Sequence, residues 1–119
     1  MLTVWGQALD REAVLGEYPR PQMERDSYIN LNGPWQYAIT SSDSVPENWD
    51  GEILVPFSPE SVLSGVERQV GPEDYLWYRR TLTLPEDFNC GRVLLHFGAI
   101  DQEASVFLNG TELKTHIGG

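Results

Sequence analysis

At 119 residues the chain has the size of one domain and falls well short of the roughly 250 residues of a catalytic (β/α)₈ barrel. Eighteen acidic against eight basic side chains give a net charge of −10, a sign that repels phosphate backbones and anionic membrane surfaces and sets nucleic acid aside as a partner. Apolar residues at 40% and aromatic residues at 11% supply a core and exclude wholesale disorder.

Residues 1–33 show little periodicity and hold Gly6, Gly16, Pro19, Pro21 and Gly33, which predicts an irregular segment packed on the folded body, with one short helical turn around Asp10 to Val14. Residues 34–119 carry the strand signals. In Pro34 to Ile39, Trp35, Tyr37 and Ile39 alternate at the strand period of two. A polar loop from Ser41 to Gly51 leads to Glu52 to Phe57, a short strand stopped by Pro56, which lacks the donor a ladder needs. The connection from Pro56 to Asp74 exceeds any hairpin turn.

Tyr75 to Leu84 is the strongest strand signal, with Leu76, Tyr78, Leu82 and Leu84 of one parity. A turn from Pro85 to Gly91 precedes a strand expected over Arg92 to Ala99, with Val93, Leu95 and Phe97 on one face. Another is expected over Gln102 to Leu108. Asn109-Gly110 is the dipeptide that most favours a type I′ hairpin turn, which returns the chain through Glu112 to Thr115. The pattern predicts an all-β sandwich. Its expected core is Trp35, Tyr37, Tyr78, Leu82, Leu95, Phe97, Val106 and Leu108, so that Phe97→Ala should cost about 3 to 5 kcal/mol.

The single cysteine, Cys90, forms no internal disulfide, and the cysteine count excludes Cys-rich zinc and redox motifs. A reducing compartment fits. No apolar run approaches the roughly 20 residues of a membrane helix, and Met1 to Gln7 lacks a basic start followed by an apolar stretch. The expected location is cytoplasmic, with no membrane partner.

Glycoside hydrolysis with retention needs two carboxyl groups about 5 to 5.5 Å apart across the sugar. The adjacent pairs Glu73-Asp74 and Glu86-Asp87 lie in loops beside prolines and read as solvated turns. His96 and His116 have no Cys or His partner at ligand spacing, so no metal site is expected. Ser58, Ser61 and Ser64 lack a Gly-x-Ser-x-Gly elbow. No catalytic residue and no cofactor site is assigned. Trp49, in a polar loop, and His116, before Ile117-Gly118-Gly119, remain the candidate sugar-contacting residues, because the C–H face of a pyranose packs on an exposed ring.

An ordered series of motifs adds a resemblance. Tyr18-Pro19-Arg20-Pro21-Gln22-Met23 is followed by Leu31-Asn32-Gly33-Pro34-Trp35, Val55 to Ser61, Leu63-Ser64-Gly65-Val66 and Leu76-Trp77-Tyr78-Arg79-Arg80. His96 to Asp101, Val106 to Gly110 and His116 to Gly119 complete it. This series resembles the amino-terminal, sugar-binding-type domain of family 2 glycoside hydrolases of the β-galactosidase or β-glucuronidase kind.

The resemblance implies a jelly-roll sandwich that shapes the rim of an active site held by a separate barrel with two catalytic glutamates. It also implies further strands after the double glycine, and hence a sandwich incomplete at its carboxyl end. In that setting Arg79 and Arg80 are expected to pair with loop carboxylates, and the partners are the remaining domains of a glycosidase, a carbohydrate, or a second copy joined through exposed strand edges. The chain by itself is then inactive. The alternatives are a stand-alone carbohydrate-binding module and a structural β-sandwich without sugar affinity.

Overall fold

The computed structural model describes residues 2–18, 20–88 and 91–119, so the expectations that rest on Pro19 and Cys90 lie outside the described residues. The chain divides into two compact units, Met1–Leu84 and Pro85–Gly119. Both are built on antiparallel β-structure with few helical residues, and the fold class is all-β, of the kind found in β-sandwiches.

The first unit contains a three-stranded sheet of β1 (Gly33–Thr40), β2 (Gly51–Val55) and β3 (Tyr75–Arg79) in the order β2-β1-β3. β1 is central because its two halves find different neighbours. Gly33 to Tyr37 pair with β2, and Gln36 to Thr40 pair with β3. Pro34 is tolerated in a central strand because β3 reaches only to Gln36, leaving no ladder bond on that side to lose. β2 is an edge strand that ends at Val55, directly before Pro56, as the missing donor predicts.

Asp50 extends the ladder beyond the end of β2. Its backbone N–H donates to the Tyr37 carbonyl at 2.9 Å, and its carboxylate accepts from the Ile39 N–H at 2.8 Å. The side chain thereby stands in for the next residue of an edge strand. Two indoles fix their own strands in a similar way: Trp35 Nε1 donates to the Leu31 carbonyl at 2.7 Å and Trp77 Nε1 to Thr40 Oγ1 at 3.0 Å.

Cross-strand partners share a face of the sheet, so Trp35, Tyr37, Ile39, Ile53, Leu76 and Tyr78 lie on one face. Gln36, Ala38, Thr40, Glu52, Leu54, Tyr75, Trp77 and Arg79 lie on the other. The buried apolar residues are Val14, Ala38, Ile39, Ile53 and Leu54. The four on the sheet come from both faces and lie on β1 and β2, and Val14 belongs to the amino-terminal segment.

The amino-terminal segment carries α1 (Val4–Gln7), capped by Thr3 Oγ1, which accepts from the Gly6 N–H at 3.1 Å. At Asp10 to Val14 the chain makes a single turn and no longer helix: the Ala13 N–H donates to the Asp10 carbonyl at 3.3 Å, and Asp10 Oδ1 accepts from the Glu12 N–H at 3.0 Å. The Asn30 and Asn32 amides then donate to the carbonyls of Leu15 and Val14, which ties this segment to the start of β1.

Between β2 and β3, a 3₁₀ turn at Val62–Ser64 is capped by the Ser61 hydroxyl and closed by Gly65 at φ 80°, a left-handed value that suits glycine. Ser64 is fully buried, and its hydroxyl donates to the Ser61 carbonyl at 2.7 Å and accepts from the Val66 N–H at 3.0 Å.

β3 stops at Arg79, shorter than the strand expected to Leu84. Its last sheet partner is Gln36, and at the next residue the Arg80 guanidinium donates to the carbonyls of Leu31 and Asn32 at 2.6 and 3.1 Å. Arg80 also lies over the Trp35 ring at 5.9 Å. The chain beyond it has no ladder to join.

In the second unit β4 (Glu103–Leu108) and β5 (Thr111–Ile117) form one antiparallel hairpin with a register shift between Val106 and Phe107. Asn109 and Gly110 have φ of 50° and 79°, both positive, as the type I′ turn requires. The Ser105 and Thr115 hydroxyls meet across the hairpin at 2.9 Å. The strand expected at Arg92 to Ala99 is not formed: residues 92–97 belong to no sheet. Period-two alternation identifies a segment able to be a strand, but a strand exists only where another backbone completes its ladder.

The expected core is corrected accordingly. Trp35, Tyr37 and Val106 are half-buried, whereas Tyr78, Leu82, Leu95, Phe97 and Leu108 are exposed, Phe97 to 47% and Leu108 to 54%. Alternation reports which side chains share a face and says nothing about whether a second layer covers it. Among the described residues of the second unit the only sheet is a two-stranded ribbon, which has too little surface to cover so many apolar side chains. The cost of Phe97→Ala should therefore fall to about 1 kcal/mol, read from a chemical melt of the variant.

Candidate functional site

In the first unit, the residues before β2 bring Trp49 under the end of β3. Trp49 is half-buried, its indole N–H is buried without a hydrogen-bond partner among the described residues, and one ring face is covered by the Arg79 guanidinium at 4.3 Å. Arg79 Nε donates to Gln36 Oε1 at 2.8 Å, the two residues being register partners on β3 and β1. A sugar stacking on that ring face would have to displace the guanidinium.

The carboxylate pairing expected of Arg79 and Arg80 is not found among the described residues: one guanidinium is held by an amide and an indole ring, the other by carbonyls. Arg68 instead meets Asp50 at 3.7 Å in an exposed pair.

His116 lies on β5, exposed, opposite Ala104 on β4. Lys114, two residues earlier, faces Val106, so both cationic or titratable side chains lie on one side of the hairpin. That side borders a groove of about 440 Å³ whose apolar lining includes Leu95, Phe97, Val106 and Leu113. Trp49 and His116 thus belong to different units.

The carboxylates considered for hydrolysis do not converge. Asp74 Oδ2 accepts from the Gly71 N–H at 2.8 Å and closes its own turn, while Glu73, Glu86 and Asp87 are exposed. His96 is exposed in the irregular stretch. Among the described residues no group of three His, Cys, Asp or Glu side chains is placed to hold a metal ion, and no helix is long and apolar enough to cross a membrane.

One electrostatic pairing was not legible in the sequence. Glu60 is held below the ordinary carboxylate value by its own backbone N–H first and then by the Ser58 side chain. Partial burial of a side chain that stays 40% exposed, and secondarily the Glu60 charge, push the Tyr78 phenol above its ordinary value of 10.0. The phenol therefore stays protonated in the folded chain at pH values where it ionises once unfolded. Its contribution to stability is complete below the unfolded value and is lost as pH rises through the folded one. Ultraviolet titration should show a late-ionising tyrosine that disappears in Tyr78→Phe; an unchanged titration curve would contradict this placement. Only the fold of the 56–74 connection brings Glu60 to β3, and no local signal announces it.

No family model matches the chain. It is similar to two β-glucuronidases. It is 24% identical over 109 residues to the enzyme of Paenibacillus borealis and 23% identical over 105 residues to that of Streptococcus agalactiae serotype V, covering 86% of this chain in each case. The chain spans only 18% and 17% of the length of these relatives. At this level the similarity fits a fragment related to glycoside hydrolases.

Proposed function

We propose that the chain is a non-catalytic, carbohydrate-binding-type β-sandwich belonging to a family 2 retaining β-glycosidase, of the β-glucuronidase or β-galactosidase kind, where it shapes the rim of the active site. The observation that carries this reading is the 86% of the chain that aligns with less than a fifth of each β-glucuronidase. The all-β fold is the class such a domain requires, and the carboxylates scattered over separate turns supply no hydrolytic pair. In this reading the sheets are parts of a jelly roll, and the remaining domains of the glycosidase are its partners.

An antibody raised against the chain tests the proposal in extracts of the source cells. The expected result is a polypeptide several times longer, whose immunoprecipitate hydrolyses p-nitrophenyl β-D-glucuronide or β-D-galactoside. A band only at 13.5 kDa, with no hydrolase activity in the precipitate, would overturn it.

Self-association through an exposed edge is a second feature of the proposal. β4 and β5 each have one neighbour in the sheet, and Phe107 and Leu113 are exposed to 43% and 56%. Unpaired edges with apolar side chains attract another backbone, and a net charge of −10 opposes open-ended growth more than it opposes one closed dimer. Sedimentation equilibrium of the chain should fit a monomer–dimer system. A strict monomer over a wide concentration range would refute this part.

A further inference from the structure

The direction of the Arg79 guanidinium is set by two contacts that leave its forked end unused among the described residues. Its Nε is bonded to Gln36 Oε1 at 2.8 Å and its plane is held over Trp49 at 4.3 Å, while no hydrogen bond or ion pair engages Nη1 or Nη2 among the described residues. Arg80, by contrast, spends Nη1 on two carbonyls, and Arg68 sits beside Asp50.

A guanidinium presents its donors in a rigid fork that matches a carboxylate, and most of the cost of using it is the ordering of a long side chain. Here that ordering is already done. Gln36 occupies the Nε position and the indole ring lies against the guanidinium of a side chain that is exposed overall, so a ligand can reach a fork already held by two contacts.

The flanking register supports a ligand lying across the strands. Glu52, Gln36 and Arg79 form one row on the same face, and Tyr75, exposed to 47%, lies further along β3 on that face. Glu52 is the acidic member of the row. It stands two strands from Arg79, about 10 Å by strand spacing and thus about one Debye length away, so its repulsion of an anion at the fork is weak.

We propose that Arg79, oriented by Gln36 and Trp49, is a receptor for a carboxylate that approaches this face of the three-stranded sheet. The carboxylate comes either from an acidic sugar or from an acidic side chain of a polypeptide, and both would bind the fork through two parallel N–H···O bonds. The inference does not rest on the proposed membership of a glycosidase, and it assigns Gln36 and Trp49 a positioning role.

The test uses the 119-residue chain, with the Trp49 indole N–H and Arg79 Nε–H resonances followed during titration with sodium D-glucuronate, acetyl-Gly-Glu-Gly-amide and, as a neutral control, D-glucose. The expected result is a saturable shift with one or both carboxylates and none with D-glucose; the tighter of the two identifies the source. Arg79→Lys, which keeps the charge and removes the fork, should weaken binding at least about tenfold. Gln36→Ala should weaken it while leaving the charge in place. Melting of both variants, followed by tryptophan fluorescence, separates binding from folding. No saturable shift with either carboxylate, or equal binding by the folded Arg79→Lys variant, or an equal response to D-glucose, would overturn the assignment.

Discussion

Replacing Ile53 or Leu54 by alanine is expected to produce the largest loss of stability of any single truncation in the first unit. Both side chains are fully buried, on adjacent positions of β2 that face opposite sides of the sheet, and each is in register with a residue of β1, Trp35 for Ile53 and Pro34 for Leu54. Removing three carbons from such a site forfeits their transfer from water and leaves a cavity that close-packed surroundings fill poorly. The cost is about 2 to 5 kcal/mol, a large fraction of the 5 to 15 kcal/mol that typically separates folded from unfolded domains. All four tryptophans lie at or before Trp77, within Met1–Leu84, so indole fluorescence reports on this unit specifically. Urea melts of the two variants should show midpoints well below the parent. Midpoints of Ile53→Ala and Leu54→Ala within error of the parent would mean that the core lies elsewhere.

Asp50→Ala should follow in size, through hydrogen bonding instead of packing. The Asp50 carboxylate is the acceptor for the Ile39 N–H at 2.8 Å, and Ile39 is itself buried at 8% exposure. No strand residue stands beyond Gly51 on that side of β1 to replace it. Leaving a buried backbone donor unsatisfied costs about 1 to 3 kcal/mol. The exposed pair with Arg68 at 3.7 Å contributes little by comparison, about 0 to 1 kcal/mol. The two contributions separate cleanly. Asp50→Asn retains an acceptor oxygen and should recover most of the loss, whereas Arg68→Ala should be nearly silent in the same fluorescence-detected melt. If Arg68→Ala were as damaging as Asp50→Ala, the ion pair and not the ladder bond would be the source of the effect.

How much of this was legible in the sequence follows from the range over which each signal acts. Trp35, Tyr37 and Ile39 alternate within one strand, and Asn109-Gly110 needs only its own dihedral angles, so β1 and the β4–β5 turn were readable locally. Pro56 ended β2 for the same local reason. Arg92 to Ala99 alternates as well as β1 does and still joins no sheet, because a strand depends on a partner whose position is not encoded nearby. The core was misplaced on the same account: Ala38 and Leu54, on the face opposite to Trp35 and Tyr37, are fully covered, as is Ile53 on the face of those two rings, while the rings themselves are only half-buried.

At the candidate sites the limits are similar. Trp49 was identifiable as an aromatic in a polar loop, but the guanidinium on its face depends on the pairing of Gln36 with Arg79, which only the register supplies. His116 was identifiable by its place before the double glycine, and the groove beside it depends on how residues 95–100 lie against the hairpin. The effect of Glu60 on Tyr78 joins positions on a long connection and a strand, with no periodicity between them.

The proposed function makes the chain a supporting β-structure without the hydrolytic machinery of a glycosidase. The most direct measurement is the release of p-nitrophenol from p-nitrophenyl β-D-glucuronide and β-D-galactoside by the purified 119-residue chain. The expected rate equals that of buffer alone, because Glu73, Glu86 and Asp87 are exposed on turns and Asp74 is engaged in closing its own. Turnover that survives repurification and disappears in Glu73→Gln or Glu86→Gln would contradict it.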